Sequence, residues 1–375
     1  MFLNNLSHFF KYKYVILKSF LFQKLNLDIQ ISQVSKSKID QIDFDNFSFG
    51  SVFTDHMFEC DYVNGSWQNP RILPYQSISI DPSASVFHYG QAIFEGMKAY
   101  KDTNDEIWLF RPKENVSRFN KSAIRLAIPE FPEDLFFDAL NKLLNLERDW
   151  IKKDEGSALY VRPFVIGNEY AIQASPSKNY KFMIICAPAT PYYVGKIKVE
   201  IADKYSRAAS GGIGYAKAAG NYAGQFYPTN LAKEKGFQQI IWTDSNEHKY
   251  LEEAGTMNVF FRIGDKLITA PVTDTILDGV TRKSIIQIAK DFGIDVEVRR
   301  ITVEEIKEAA RENSLKEIFG AGTAAVVSEI SEFEHKQERF VLPDVEDSYA
   351  KKLKKKLVDI QTNKCEDPHN WRYKL

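Results

Sequence analysis

A single lysine stands in the run Ser210-Gly-Gly-Ile-Gly-Tyr-Ala-Lys217-Ala-Ala-Gly-Asn-Tyr222-Ala-Gly224, with no carboxylate within four residues on either side. Glycine and alanine make up most of this run, so its backbone can lie close against something bulky and flat. A lysine desolvated there gives up its proton more readily. The free amine is a nucleophile able to form a Schiff base with an aldehyde. An ordinary solvated loop lysine is the competing reading of this window.

Three further places could meet an anion. Gly279 precedes a helix start at Val280 and Thr281, whose amides and helix dipole together attract negative charge. Arg118 sits beside the apolar face of a helix opened by Pro112, where its fork can point into a cleft. Arg162 shares one face of the strand Ala158-Leu-Tyr-Val-Arg-Pro-Phe-Val-Ile166 with Tyr160, and an arginine in so apolar a strand is costly to bury without an anion or a carboxylate. Tyr89, Phe94 and Lys98 stand out in Ser85 to Tyr100, and Thr323 supplies a hydroxyl in the small-residue turn of Ile318 to Val327.

The elements that must position these residues are legible from pattern. Asn64-Gly65 closes a hairpin in Asp61 to Trp67. One helix carries Val116, Phe119, Ala123 and Leu126 on its core face; a second carries Leu135, Phe136, Ala139, Leu140, Leu143, Leu144 and Trp150. Lys181 to Ala187 is a buried strand, and Ala187 to Gly195 reads as a linker. Beyond it, strands at Gln239–Thr243, Asn258–Phe261 and Lys266–Thr269 alternate with helices. One helix has Ile285, Ile286, Ala289 and Phe292 inside and ends at Gly293; another begins at the capping box Thr302-Val-Glu-Glu305. A last helix is built around Leu353 and Leu357.

With 375 residues, 44% hydrophobic and 13% aromatic, the chain can bury about two ordinary cores. A net charge of −1 gives no electrostatic reason for nucleic acid as partner, so a small molecule is expected. Cys60, Cys186 and Cys365 are far apart and in no metal spacing, which fits a reducing, cytoplasmic setting and no metal. Residues 1 to 27 mix aromatics with Lys11, Lys13, Lys18 and Lys24 and contain no acid, and read as a poorly specified extension. No stretch reaches the ~20 apolar residues of a membrane span.

The order of these signals is specific. Phe94-Glu-Gly96, Arg118 in Glu-Asn-Val-Ser-Arg-Phe, Tyr160-Val-Arg162, Lys217 followed by Gly220-Asn-Tyr222, Glu253-Ala-Gly-Thr-Met-Asn258, Gly279-Val-Thr-Arg282 and Gly320-Ala-Gly-Thr-Ala324 occur in one chain. The series resembles the branched-chain amino acid aminotransferases of the fold-type IV pyridoxal phosphate enzymes, over roughly residues 45 to 375. The resemblance implies a mixed α/β (α+β) chain: an extension over 1–44, a small α/β domain over 45–190, a linker over 191–197 and a larger pseudo-barrel domain over 198–375.

It also implies roles. Lys217 would hold pyridoxal 5′-phosphate and shuttle the proton, and Glu253, rather than its neighbour Glu252, would keep the pyridine nitrogen protonated. Tyr222 would bond to the phenolic oxygen, while Arg118, the Val280 and Thr281 amides and Thr323 would cradle the phosphate. Tyr89, Phe94, Tyr160 and Tyr192 would line an apolar pocket for leucine, isoleucine or valine. Arg162 would receive glutamate's second carboxylate, and the backbone around Thr256 and Ala324 the α-carboxylate. The family further implies a ping-pong exchange with 2-oxoglutarate and a homodimer in which each subunit helps complete the other's site. The alternative of a related lyase, of the aminodeoxychorismate lyase type, shares the cofactor machinery. Mammalian members carry a Cys-x-x-Cys where this chain has Ala325 and Ser328, so thiol regulation there is not expected.

Overall fold

The computed structural model describes residues 28–44, 46–190 and 195–375. The lysine-rich segment 1–27 and Tyr192 lie outside the described residues. Two nine-stranded sheets organise the chain. The first takes its strands from residues 30–189, with one late addition, Arg372–Lys374, which pairs antiparallel with Ile107–Phe110. Its hairpin His56–Val63/Ser66–Pro74 turns at Asn64 and Gly65, both at positive φ (53° and 81°), as a two-residue turn of this hand requires. Residues 28–44, at the end of the expected extension, pack on this sheet. Gln30–Ile31 pairs with Arg71 and Ile72, and Ser37 Oγ donates to Asp55 at 2.5 Å.

Two helices cover the first sheet. Pro112–Arg125 buries Val116, Phe119 and Ala123, and Glu133–Leu146 buries Phe136, Ala139, Leu140, Leu143 and Leu144. Trp150, expected on this second helix, lies instead in a separate 3-10 turn, Arg148–Trp150, and is still buried. The helix closes at Glu147, whose carboxylate is drawn to the buried His56. Phe131 and Phe182 stack at the centre of this core with centroids 3.8 Å apart.

The second sheet closes on itself. Ile197–Ile201, Gln239–Thr243, Leu251–Ala254, Met257–Ile263, Leu315–Gly322 and Val326–His335 form a six-stranded barrel, because Leu251–Ala254 pairs with both Gln239–Thr243 and Met257–Ile263. Full closure removes the free edges of those strands. This is the pseudo-barrel implied by the family resemblance. Lys266–Thr269 pairs with Met257–Ile263 across the Gly264-Asp265 turn. Thr302 Oγ1 accepts from Glu305 N at 3.0 Å to cap helix Val303–Arg311 in the predicted place, while the Glu305 carboxylate, instead of closing the box, accepts from Arg299.

A shared apolar cluster joins the two sheets. Tyr100, Phe110 and Ala158 from the first pack with Ile285, Ile288 and Ala289 of helix Val280–Asp291 and with Leu353 and Leu357 of helix Tyr349–Gln361. That contact fixes one lip of a cleft against the other.

Candidate active site

Lys217 is locked at its backbone from two sides. Its N–H donates to Ser122 Oγ on helix Pro112–Arg125 at 2.9 Å, and its carbonyl accepts from Phe94 N at 3.1 Å. The short strand Ala92–Phe94 also bridges to the lysine loop through Ile93 and Ala218. The ε-amine donates to Tyr222 Oη at 2.9 Å and lies 4.3 Å over the Phe94 ring. Among the described residues no carboxylate pairs with Lys217, so the amine is held by a phenol and an aromatic face.

Phe94 is a hub. Tyr222 lies tilted against it at 4.7 Å, and the Arg162 guanidinium stacks at 4.5 Å. Arg162 also donates from Nη2 to Tyr160 Oη at 3.0 Å, while its Nε is buried without a partner. Among the described residues Arg162 has no acid beside it, and a guanidinium left in this state is prepared for an incoming carboxylate.

Glu253 occupies strand Leu251–Ala254 with its side chain enclosed. Its carboxylate pairs with Arg207, accepts from Asn258 Nδ2 at 2.9 Å and takes Leu277 N at 3.3 Å. Burial pushes the carboxyl up to about 7; the Arg207 guanidinium and the Leu277 amide pull it back. An acid poised there can hold or share a proton at neutral pH. Glu252 points elsewhere and accepts from Thr275 Oγ1 at 2.6 Å.

Arg118 is buried and forked onto Glu95, with Nε and Nη2 at 2.6 and 3.0 Å from its oxygens. Burial alone would raise Glu95, but the Arg118 charge and its hydrogen bonds outweigh it and hold that carboxyl below its usual range. Nη1 reaches the carbonyl of Asp278 at 3.0 Å, beside the start of helix Val280–Asp291. No side chain caps that start, and Val280 and Thr281 line the cleft. A Cβ on Gly279 would fall 1.9 Å from Asn258 Oδ1, so glycine is required for the turn to come this near.

Arg118, Lys217, Tyr222, Glu253, Thr256, Val280, Thr281 and Thr323 all line one cleft. Ala324 stands one residue beyond the lining. Tyr89 is not part of it: it sits 46% exposed at the end of the short helix Ser85–Tyr89. Sequence reasoning missed Arg207, Glu95 and Ser122, because their partners are 46, 23 and 95 positions away along the chain. Asn258 lies in a motif that by itself gave it no task. Among the described residues no group of His, Cys, Asp and Glu could hold a metal.

The cleft offers uncapped amides and an arginine at one place, an amine beside a phenol at another, and a buried acid at a third. This donor set suits a phosphate, an aldehyde with a neighbouring oxygen, and a ring nitrogen, which are the polar groups of a phosphorylated pyridine carbaldehyde. Fold and cleft thus define an enzyme of the pyridoxal phosphate aminotransferase type. Residues 92–333 match the family model for amino-transferase class IV, and the chain belongs to that family, on its branched-chain-amino-acid aminotransferase branch.

Two relatives from Bacillus subtilis (strain 168) carry that particular description. Branched-chain-amino-acid transaminase 1 is 42% identical over 332 residues (87% of this chain, 93% of the relative). Branched-chain-amino-acid aminotransferase 2 is 40% identical over 353 residues (93% and 96%). In structure the chain is similar to the branched-chain aminotransferase of Thermoproteus uzoniensis with norvaline (TM-score 0.71, 22% identity, 85% of this chain and 99% of that one). The Thermobaculum terrenum branched-chain amino acid aminotransferase in its PLP-form gives 0.69 at 19% identity over 85% and 98%. The lyase alternative is not favoured by relatives of this description.

Proposed function

We infer that this chain moves the amino group of leucine, isoleucine or valine to 2-oxoglutarate by a ping-pong reaction with pyridoxal 5′-phosphate. The observation that carries the reading is the convergence of Lys217 with Tyr222, Glu253 with Arg207, and the helix start at Val280 with Arg118 on one cleft. Val280, Thr281, Thr323 and Arg118 would hold the phosphate, Tyr222 the phenolic oxygen and Glu253 the ring nitrogen. When bound, the cofactor supplies the electron sink that lets the substrate α-C–H bond break as a proton. Lys217 would hold the cofactor through its amine, and Nζ, once free, would take that proton from the substrate α-carbon and return it at C4′. Tyr222 keeps the amine in reach at 2.9 Å. Glu253 keeps a proton at the ring nitrogen, with Arg207 preserving its negative charge.

Phe94 and Tyr160 give the substrate side chain an aromatic wall, where each buried branched methyl is worth roughly 0.8 kcal/mol. Arg162 receives the second carboxylate of glutamate, and the backbone at Thr256 and Ala324 takes the α-carboxylate. Tyr89, exposed and away from its own cleft, and Tyr192 belong to this reading as pocket residues that a homodimer would supply or complete across the subunit boundary. Cys60, Cys186 and Cys365 are all free, which supports a reducing, cytoplasmic setting.

The test is an absorption spectrum of the holoenzyme before and after leucine without any oxo acid, beside a Lys217→Ala control. Conversion of the cofactor's aldehyde form to its amine form, reversed by 2-oxoglutarate and missing in the control, is expected. A bound cofactor that leucine leaves unchanged would overturn the branched-chain reading. Light scattering across a dilution series tests the dimer, and a monomer of full activity would remove Tyr89 from the site.

A further inference from the structure

Lys98 is a buried amine that the reaction above does not use. It lies on strand Met97–Lys101 of the first sheet, is 7% exposed, and pairs across the strands with Tyr160. Its Nζ crosses to the barrel and donates to the carbonyl of Ala324 at 3.0 Å. Among the described residues no carboxylate forms an ion pair with it. Burial first, and then the charge of Lys354, draw its pKa down to about 8. An apolar side chain would fill the same space without that penalty, so the placement asks for a reason.

The carbonyl it holds belongs to a strained turn. Val326 is β-branched and has φ of 58°, in the left-handed region that such residues avoid. Gly322 pairs with Val326 in the sheet, leaving Thr323, Ala324 and Ala325 to close the turn. A Cβ at Gly322 would lie 2.7 Å from the Thr256 carbonyl, so this turn is pressed against the turn at Thr256. Strain of this kind persists only where surrounding contacts over-determine it, and Lys98 is one such contact, made from the opposite sheet.

We propose that Lys98 is a positioning residue for substrate: by holding the Ala324 carbonyl it fixes the Thr323–Val326 turn with its backbone amides presented to the substrate's carboxylate. This rests on the reading that the turn receives the α-carboxylate. Lys98 does not touch the reacting atoms; it sets the direction of the peptide groups that meet the substrate.

The probe is 4-methylvalerate, a carboxylate with the carbon skeleton of leucine and no amino group to transfer, titrated into holoenzyme by the cofactor's absorbance. Lys98→Met, close in shape and unable to donate, should weaken the probe at least ten-fold and raise the leucine KM similarly. Its kcat and its pyridoxal phosphate dissociation constant should stay within three-fold of wild type. Lys98→Gln can still donate an N–H and should recover probe binding to within three-fold. The proposal is overturned if Lys98→Met binds the probe like wild type, if it loses probe and cofactor equally, or if Lys98→Gln is no better than Lys98→Met. Ala324→Pro deletes one amide of the turn and tests the underlying reading by itself. Unchanged probe binding there removes the turn from the carboxylate site altogether, whereas loss in Ala324→Pro without loss in Lys98→Met overturns only the role of Lys98.

Discussion

Replacing Arg207 by methionine should move the pH dependence of cofactor binding. Its side chain is 4% exposed, pairs with Glu253 and donates to the carbonyls of Gly214 and Thr275 at 2.7 and 2.8 Å. With Arg207 present the Glu253 carboxyl stands at about 7, burial having raised it and the guanidinium having restrained it. An opposite charge this close lowers a carboxyl by about 1–3 units, so its loss should lift Glu253 by about 2. At pH 7 the ionised fraction then drops from about one half to about one hundredth, roughly 50-fold. The assay is pyridoxal phosphate affinity, titrated into cofactor-free protein by fluorescence from pH 6 to pH 10. Arg207→Met should lose about 50-fold at pH 7 and recover above about pH 9, with its acid limb displaced by about 2 units, while Arg207→Lys should shift it by less than about 1 unit. An equal loss at every pH, with the limb in place, would refute the electrostatic role and leave Arg207 as scaffolding.

The same carboxyl sets a sign for stability. Its folded value of about 7 lies above the ordinary 4.5, so the cofactor-free folded protein keeps a proton that the unfolded chain releases between these values. The contribution is fully present below pH 4.5 and is lost as pH rises through 7, about 3 kcal/mol in all. In Arg207→Met the loss should extend to higher pH. Urea denaturation of the cofactor-free protein at pH 5 and pH 8 measures the difference.

Lys217→Ala removes the amine proposed to carry the proton and should lower the half-reaction rate by at least about 10²-fold, read by single-turnover absorbance with leucine. Gly279→Ala puts a Cβ 1.9 Å from Asn258 Oδ1, so the turn or Asn258 must shift. Pyridoxal phosphate should bind at least ten-fold more weakly in a fluorescence titration, and unchanged binding would place the phosphate elsewhere. Phe94→Ala removes the ring shared by Lys217 and Arg162. It should raise the leucine KM by more than the alanine KM, narrowing the preference for branched side chains by roughly 10-fold.

Much of the fold was legible because local rules govern it. The Asn64-Gly65 hairpin, the helix from Pro112 and the Thr302 N-cap each depend on residues a few positions apart. The candidate site was legible only where one residue type could carry the chemistry, as at Lys217, Arg118 and Glu253, which the fold brings to one cleft. Closure of the barrel was implied by the family resemblance but hidden from residue pattern, since it depends on Leu251–Ala254 pairing with two strands at once. Arg207 was hidden for a similar reason: it lies among small and polar neighbours in sequence, and only folding brings it to Glu253. Periodicity placed Arg118 beside an apolar face, but the buried Glu95 that orients it sits on a different element.

The strand Arg372–Lys374 that edges the first sheet ties the completion of that sheet to the end of synthesis. Its partner Ile107–Phe110 leaves the ribosome some 260 residues earlier, and until the late strand arrives it presents unpaired backbone groups to whatever is near. The first half of the polypeptide must therefore wait, partly sealed, through translation of the entire barrel. Nascent chains stalled before residue 372 should be the ones that chaperones hold longest, and a fusion that blocks this segment should harm yield before it harms catalysis.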